Sequence, residues 1–312
     1  MAKPTISEAQ DLAASLRTKK GSAGEPDKIE VDPFFIEDPA AAKVVEFAIK
    51  RRKNLLIVGP TGCGKSCLAI NVMARLNERA EIFSCDGNTS TEELIGKPWA
   101  TTDDKGVGIT VPLYGAGTRA YRNGKILLLE EVDHAEPDIH ASLHRIMEVN
   151  QKFYVCNIGK EEIIPKHKDF TVIATANTIG TGEDTFMYTG TKALNQAFMN
   201  RFSFTVTMDY LKPDSEKEVV KNKTGANERM ADQIVWVAND VRDAANPKRI
   251  SGGVPGSAKI AATISTRDCI EWAEISMGLQ LNLKEAAEYA FLNRISDVDA
   301  DQIRTFISNR IA

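Results

Sequence analysis

Gly59-Pro60-Thr61-Gly62-Cys63-Gly64-Lys65-Ser66 is the stretch that decides the fold. It follows a short apolar run, Leu55–Val58, and precedes a helical pattern over Ser66–Asn77. Glycines at this spacing let the backbone curl into a nest whose amides face outward, and the helix start adds favourable partial charge. Such a nest takes phosphate. Lys65 is placed to reach the terminal phosphates and Ser66 to ligate Mg²⁺. The expected nucleotide contacts are Gly59, Pro60, Thr61, Gly62, Cys63, Gly64, Lys65, Ser66 and Cys67, with ATP and Mg²⁺ as ligands. A chance glycine-rich turn is the plain alternative. The strand before it, the helix after it and the Lys-Ser pair argue against that.

Outward from the loop the pattern repeats as strand, loop, helix. Asp38-Pro39 opens a helix through about Arg51, since proline suits a first helical turn. Further strands are expected at Glu81–Cys85, Lys125–Leu129, Phe170–Ala176 and Phe202–Met208, with an amphipathic helix over Pro137–Val149. Lys125–Leu129 is almost wholly apolar, as befits a central parallel strand covered on both faces. The alternation implies an α/β fold, a parallel five-stranded sheet with flanking helices. Beyond about residue 212 the strand patterns stop, and helices are expected at 213–223, 229–244, 266–281, 284–293 and 298–310. The chain thus divides into an N-terminal extension and linker (1–34), an α/β nucleotide-binding domain (35–211) and an all-α lid (212–312). Within the extension, residues 5–17 suit a short helix and 18–30 a linker.

A phosphate loop needs an acid at the end of a neighbouring apolar strand. Ile126-Leu127-Leu128-Leu129 runs directly into Glu130-Glu131. The usual pair is Asp-Glu, so Glu130 is one methylene longer than usual. Glu130 is assigned to the metal and Glu131 to orienting and deprotonating the attacking water. Asp133 is a second acidic candidate, set aside because it lies past the strand end.

Composition narrows the class. With 312 residues and 43% hydrophobic content the chain can bury one large core or two modest ones. A net charge of −4 argues against a non-specific nucleic-acid binder. Lys50-Arg51-Arg52-Lys53 is expected to be the solvated end of a helix. The odd count of five cysteines argues against a disulfide framework and for a reducing, cytoplasmic compartment. No stretch approaches the ~20 apolar residues of a membrane helix. His140 and His144 share a helix face near His134, without a convincing third ligand, so a polar helix is preferred to a metal site.

Three later segments extend the pattern: Ala174-Thr-Ala-Asn177-Thr178, Asn195-Gln-Ala-Phe-Met-Asn-Arg201-Phe202 and Ile264-Ser-Thr-Arg267. With the loop and the acidic pair, the chain resembles the AAA+ ATPases of the MoxR branch, and within it the CobS-type ATPase subunit of aerobic cobaltochelatase. The resemblance covers roughly 35–310 and is densest over Phe170–Tyr210. It implies that Asn177 is the sensor-1 residue beside the attacking water, that Arg201 is an arginine finger supplied to a neighbour's ATP, and that Arg267 is the lid's sensor-2 arginine. The plain alternatives are a turn asparagine, a surface ion pair and an ordinary helix arginine. It also implies a homo-hexamer, a separate partner bearing a von Willebrand A-type domain and a large chelatase subunit. The chain lacks the Asp-x-Ser-x-Ser motif of such a domain. Two insertions match the branch, a β-rich one at about 97–122 and a pre-sensor-1 hairpin at about 151–166. Tyr114 and Phe153 are candidate contacts there, with plain packing of the hairpins preferred.

Overall fold

The computed structural model describes residues 29–103, 105–148, 153–155, 162–177, 194, 196–246 and 260–311. The helix expected at 5–17, most of the 18–30 linker, Cys156 and the central part of the 151–166 insertion lie outside them.

The first half of the chain builds helix α1 (Pro39–Lys50), strand β1 (Leu55–Val58), helix α2 (Lys65–Arg75), strand β2 (Ala80–Ser84) and a short α3 (Thr91–Leu94). A hairpin of β3 (Gly96–Thr102) and β4 (Gly108–Tyr114) follows, then α4 (Ala116–Asn123), β5 (Ile126–Glu130) and α5 (Pro137–Met147). A small hairpin of β6 (Phe153–Val155) and β7 (Glu162–Ile164) precedes β8 (Thr171–Ala176), α6 (Gln196–Met199) and β9 (Phe204–Thr207). Five helices complete the described chain: α7 (Pro213–Thr224), α8 (Glu228–Ala245), α9 (Thr266–Gly278), α10 (Leu283–Ala290) and α11 (Asp297–Arg310).

The main sheet is parallel, in the order β2-β5-β8-β1-β9. Successive side chains of a strand point to opposite faces, and both faces here are covered. Leu56, Val58, Leu127 and Leu129 join α3, α4 and α5 in one core. Leu55, Ile57, Ile126 and Leu128 join α1 and α2 in another. That two-sided burial explains the unbroken apolar runs. Asp38 caps α1 by accepting from the Ala40 amide at 2.8 Å, with Pro39 at the first helical position.

The insertion at 97–122 is strand only as far as Tyr114. Residues 116–123 are helical, and Ala116, Ala120 and Tyr121 sit in the core. Gly115 allows this switch, because a Cβ there would lie 2.5 Å from the Glu93 and Leu94 carbonyl oxygens. Tyr114 packs against the same core, with the Arg122 guanidinium 5.2 Å from its ring centre. On the hairpin it is Trp99 that faces outward, 52% exposed.

The helical half has its own core around the buried Trp272, whose Nε1 donates to the Leu283 carbonyl at 2.8 Å. Helix α9 stops at Gly278, short of the expected 281, because Gln280 adopts a left-handed φ of 55°. Asn282 then caps α10 through a reciprocal box with Glu285.

Candidate functional site

The loop connects the end of β1 to α2 and lies over the C-terminal ends of the strands. The Gly59 amide donates to the Ala176 carbonyl at the tip of β8, 3.2 Å away. Gly62 and Gly64 have φ of 71° and 94°, the left-handed region that favours glycine. Gly64 is the N-cap of α2 and brings no side chain to its amides. The helix start therefore keeps its orphan donors available to an anion.

Lys65 is buried, and its Nζ donates to the Gly59 carbonyl (2.8 Å), the Pro60 carbonyl (2.9 Å) and Asn177 Oδ1 (2.9 Å). Burial holds its ammonium below the ordinary lysine value, opposed by Cys63, Asp133 and Glu131 nearby. Thr61 Oγ1 also donates to Asn177 Oδ1, at 3.3 Å. Asn177 thus bridges the loop from the tip of the adjacent strand. Burial raises Cys63 and Cys67 above the ordinary thiol value and pushes Cys85 up to about 12.

The acidic pair ends β5, on the other side of β8 from the loop. Glu130 pairs with Ser84 in the sheet register, and Ser84 Oγ donates to Glu130 Oε2 at 3.0 Å. The longer side chain is therefore held by the neighbouring strand tip. Glu131 has φ of 54°, a conformation that costs a non-glycine residue roughly 1–2 kcal/mol. Its amide donates to Thr175 Oγ1 at 3.2 Å, and its side chain is exposed.

Asp133, set aside because it lies past the strand end, is brought back towards β8 by the fold. After Glu131 a 3₁₀ turn, Val132–His134, folds the chain back beneath β8. Asp133 is fully buried there and accepts the Asn177 amide at 2.9 Å. It holds the backbone of the asparagine that reaches the loop. Tyr210, which no sequence motif singles out, donates its hydroxyl to the Thr61 carbonyl at 3.0 Å. No local pattern marks that contact, which spans 149 positions.

The two arginines fall in different places. Arg267, exposed in the first turn of α9, acts electrostatically on Cys67 in α2. The helix start carrying it abuts the loop, since a Cβ on Gly62 would lie 2.4 Å from Ser265 Cβ. Arg201 is not brought to its own loop. Its carbonyl accepts from Asn54, at the opposite end of β1, a four-residue strand and so about 13 Å away. Its guanidinium donates to Glu148 at 3.3 Å and lies 3.4 Å from His144 Nδ1.

His140 and His144 pack and bond within the fold. His140 Nε2 lies 2.9 Å from the Val132 carbonyl, its ring stacks against Phe198, and His144 Nε2 lies 3.3 Å from the Ala197 carbonyl. Among the described residues no cluster of three or more His, Cys, Asp or Glu is placed to hold a metal. No helix among them is long and apolar enough to cross a membrane. Ser66 and Glu130 supply hard oxygen donors, the type Mg²⁺ takes. Mg²⁺ commonly uses one or two protein ligands beside phosphates and water. The donor set therefore fits.

Comparison with known proteins identifies related families and a shared fold. Residues 54–202 match the AAA domain (dynein-related subfamily), and residues 216–311 match the CbbQ/NirQ/NorQ C-terminal family. The aerobic cobaltochelatase subunit CobS of Sinorhizobium sp. is 27% identical over 296 residues, covering 95% of this chain and 86% of that protein. YojN of Bacillus subtilis (strain 168) is 26% identical over 270 residues, 85% of this chain and 84% of its own. The AAA domain of FIGL-1, solved in complex with ADP, shares the fold. Its TM-score is 0.51 at 12% identity, over 98% of this chain and 99% of that one. The chain belongs to the AAA+ ATPases of the MoxR/CobS type, an AAA domain followed by a CbbQ/NirQ/NorQ C-terminal region.

Proposed function

We propose that this chain hydrolyses Mg²⁺-ATP as one subunit of a ring, most simply a hexamer, and uses the cycle to remodel a partner complex. The observation that carries this reading is the division of the site. Loop, Asn177 and the acidic pair sit together at the tips of β1, β8 and β5, whereas Arg201 lies at the far end of β1. An arginine there serves a neighbour's nucleotide rather than its own.

In this reading ATP phosphates seat on the loop amides and the start of α2. Lys65 turns from the Gly59 and Pro60 carbonyls to the terminal phosphates. Ser66 and Glu130 would hold Mg²⁺, which offsets the charge of the transferring group. Glu131 orients the attacking water and takes its proton. Asn177 helps place that water. Arg201 of the neighbouring subunit stabilises the developing charge, an effect worth ~10³–10⁵ in rate where such fingers operate. Arg267 links the phosphate end to the helical lid, residues 212–312. The α/β domain, 35–211, carries the rest.

The relationship to CobS, named as a cobaltochelatase subunit, supports a more specific role in metal insertion. The partners would then be a von Willebrand A-type protein and a large chelatase subunit. A MoxR-type chaperone for another complex is the broader version of the same motor.

Phosphate release from wild type, Glu131→Gln and Arg201→Ala tests the motor. Release by wild type alone, with ATP affinity retained in Arg201→Ala, is the expected outcome. Wild-type release no higher than that of Glu131→Gln would instead favour an assembly module that ATP merely stabilises. Pull-down with a von Willebrand A-type protein separates the chelatase reading from the broader chaperone.

A further inference from the structure

Between loop and lid runs a continuous set of polar contacts that the hydrolysis scheme above does not use. Tyr210 lies in the short link between β9 and α7. Its hydroxyl donates to the Thr61 carbonyl at 3.0 Å. Its ring lies 3.9 Å from the Arg242 guanidinium carbon, close enough for a cation–π contact. Arg242, on α8, is almost wholly buried and grips Glu216 of α7 through two bonds, Nη1 at 2.7 Å and Nη2 at 2.8 Å. Its Nε donates to the Ile264 carbonyl at 2.6 Å. Glu216 Oε1 also accepts from Thr266 Oγ1 at 2.6 Å. Thr266 is the first residue of α9, next to Arg267.

Each junction in this series is specific. The buried carboxylate has both oxygens engaged by the guanidinium, and one of them also takes the Thr266 hydroxyl. The guanidinium spends its face on the tyrosine ring and its edge on Glu216 and Ile264. A fork of this kind fixes both partners in angle as well as distance. Three lid helices, α7, α8 and α9, meet at it. Tyr210 is the member of the series that reaches the phosphate loop. The loop also meets the lid by direct contact of Gly62 with Ser265. That contact resists approach but transmits no pull, whereas the Tyr210 hydrogen bond works in both directions.

We propose that Tyr210 is a positioning residue that couples the phosphate loop to the start of α9 through Arg242, Glu216 and Thr266. The coupling sets where Arg267 stands as the loop fills and empties. This rests on the reading of the loop as the nucleotide site. Thr61 flanks the glycines that must receive phosphate, so any change in the loop on nucleotide entry acts on the Tyr210 hydroxyl. The buried ion pair carries it as a rigid unit to α9.

Hydrogen–deuterium exchange of the full-length chain, with and without Mg²⁺-ATP, tests this. Wild type should gain protection both at the loop (59–66) and at the start of α9 (264–272). Tyr210→Phe keeps the ring over Arg242 and removes only the hydroxyl. It should keep the loop response while the nucleotide-dependent response at α9 falls by about 2- to 10-fold, the worth of one hydrogen bond. Turnover should fall in step, with ATP affinity changed less than turnover. Thr266→Val, which cuts the far end of the series, should give the same pattern, and Thr266→Ser should restore it. Full α9 response in Tyr210→Phe, with the loop still protected, overturns the coupling alone. Absence of loop protection in wild type overturns the nucleotide-site reading and the coupling with it.

Discussion

Removing the Asn177 side chain should separate ATP binding from hydrolysis. Asn177 Oδ1 accepts from Lys65 Nζ at 2.9 Å and from Thr61 Oγ1 at 3.3 Å. The first is a charge-assisted bond, worth about 1.5–3 kcal/mol. ATP phosphates must displace it before Lys65 can serve them. Asn177→Ala removes the competitor and leaves Lys65 with the Gly59 and Pro60 carbonyls. The backbone stays anchored, because the contact to Asp133 is made by the Asn177 amide nitrogen. ATP affinity should therefore hold or tighten, by up to about tenfold if half of that bond energy is recovered. Hydrolysis should move the other way. Loss of one preorganised polar contact to the reacting group costs roughly 2.7–4 kcal/mol, or 10²–10³ in rate. Titration with a fluorescent ATP analogue and single-turnover phosphate release measure the two effects on the same protein. Affinity weakened tenfold with turnover intact would refute the reasoning and make Asn177 a purely structural strap for the loop.

Two further outcomes follow from buried groups. Arg242→Met leaves Glu216 charged and unpaired in the lid core and should cost about 3–5 kcal/mol in urea unfolding, whereas pairing it with Glu216→Met should recover much of that loss. A single-variant cost under about 1 kcal/mol would contradict the buried pair. Lys65 is held below its ordinary value of 10.5 by burial, so between the lowered value and 10.5 the unfolded chain binds more protons than the folded one, and stability without added nucleotide rises with pH there. Phosphate needs the ammonium, so ATP affinity should fall as pH rises through the lowered value. Calorimetry in two buffers of different ionisation heat should detect proton uptake on binding in that window, absent in Lys65→Met.

The loop and the acidic pair were legible in the sequence because their signals are local, whereas Asn177 entered through the family resemblance. Glycine spacing favours a left-handed nest at Gly62 and Gly64, an apolar run ending in acids marks a buried strand tip, and Asp38-Pro39 marks a helix start. Two-sided burial made the strands readable as continuous apolar runs, so a parallel five-stranded sheet could be inferred without any contact being known. Local pattern failed where two periods met. The segment 97–122 carried strand signals to Tyr114, and the turn into α4 depended on close packing of Gly115 against Leu94.

Strand order belongs to the tertiary structure. Nothing in the sequence places β8 between β5 and β1, yet that order brings Asn177 to Lys65 and separates the acids from the loop by one strand. Folding back after Glu131 turns Asp133 from a spare acid into the acceptor for Asn177. Pairing of β2 with β5 sets Ser84 beside Glu130 and so restrains its longer side chain. The contacts of Tyr210 with Thr61 and of Ser265 with Gly62 join segments 149 and 203 positions apart. Such contacts have no period and no neighbouring signature. They are settled only when the sheet and the helical half, each with its own core, come together, and they join the phosphate loop, visible in eight residues, to the start of α9.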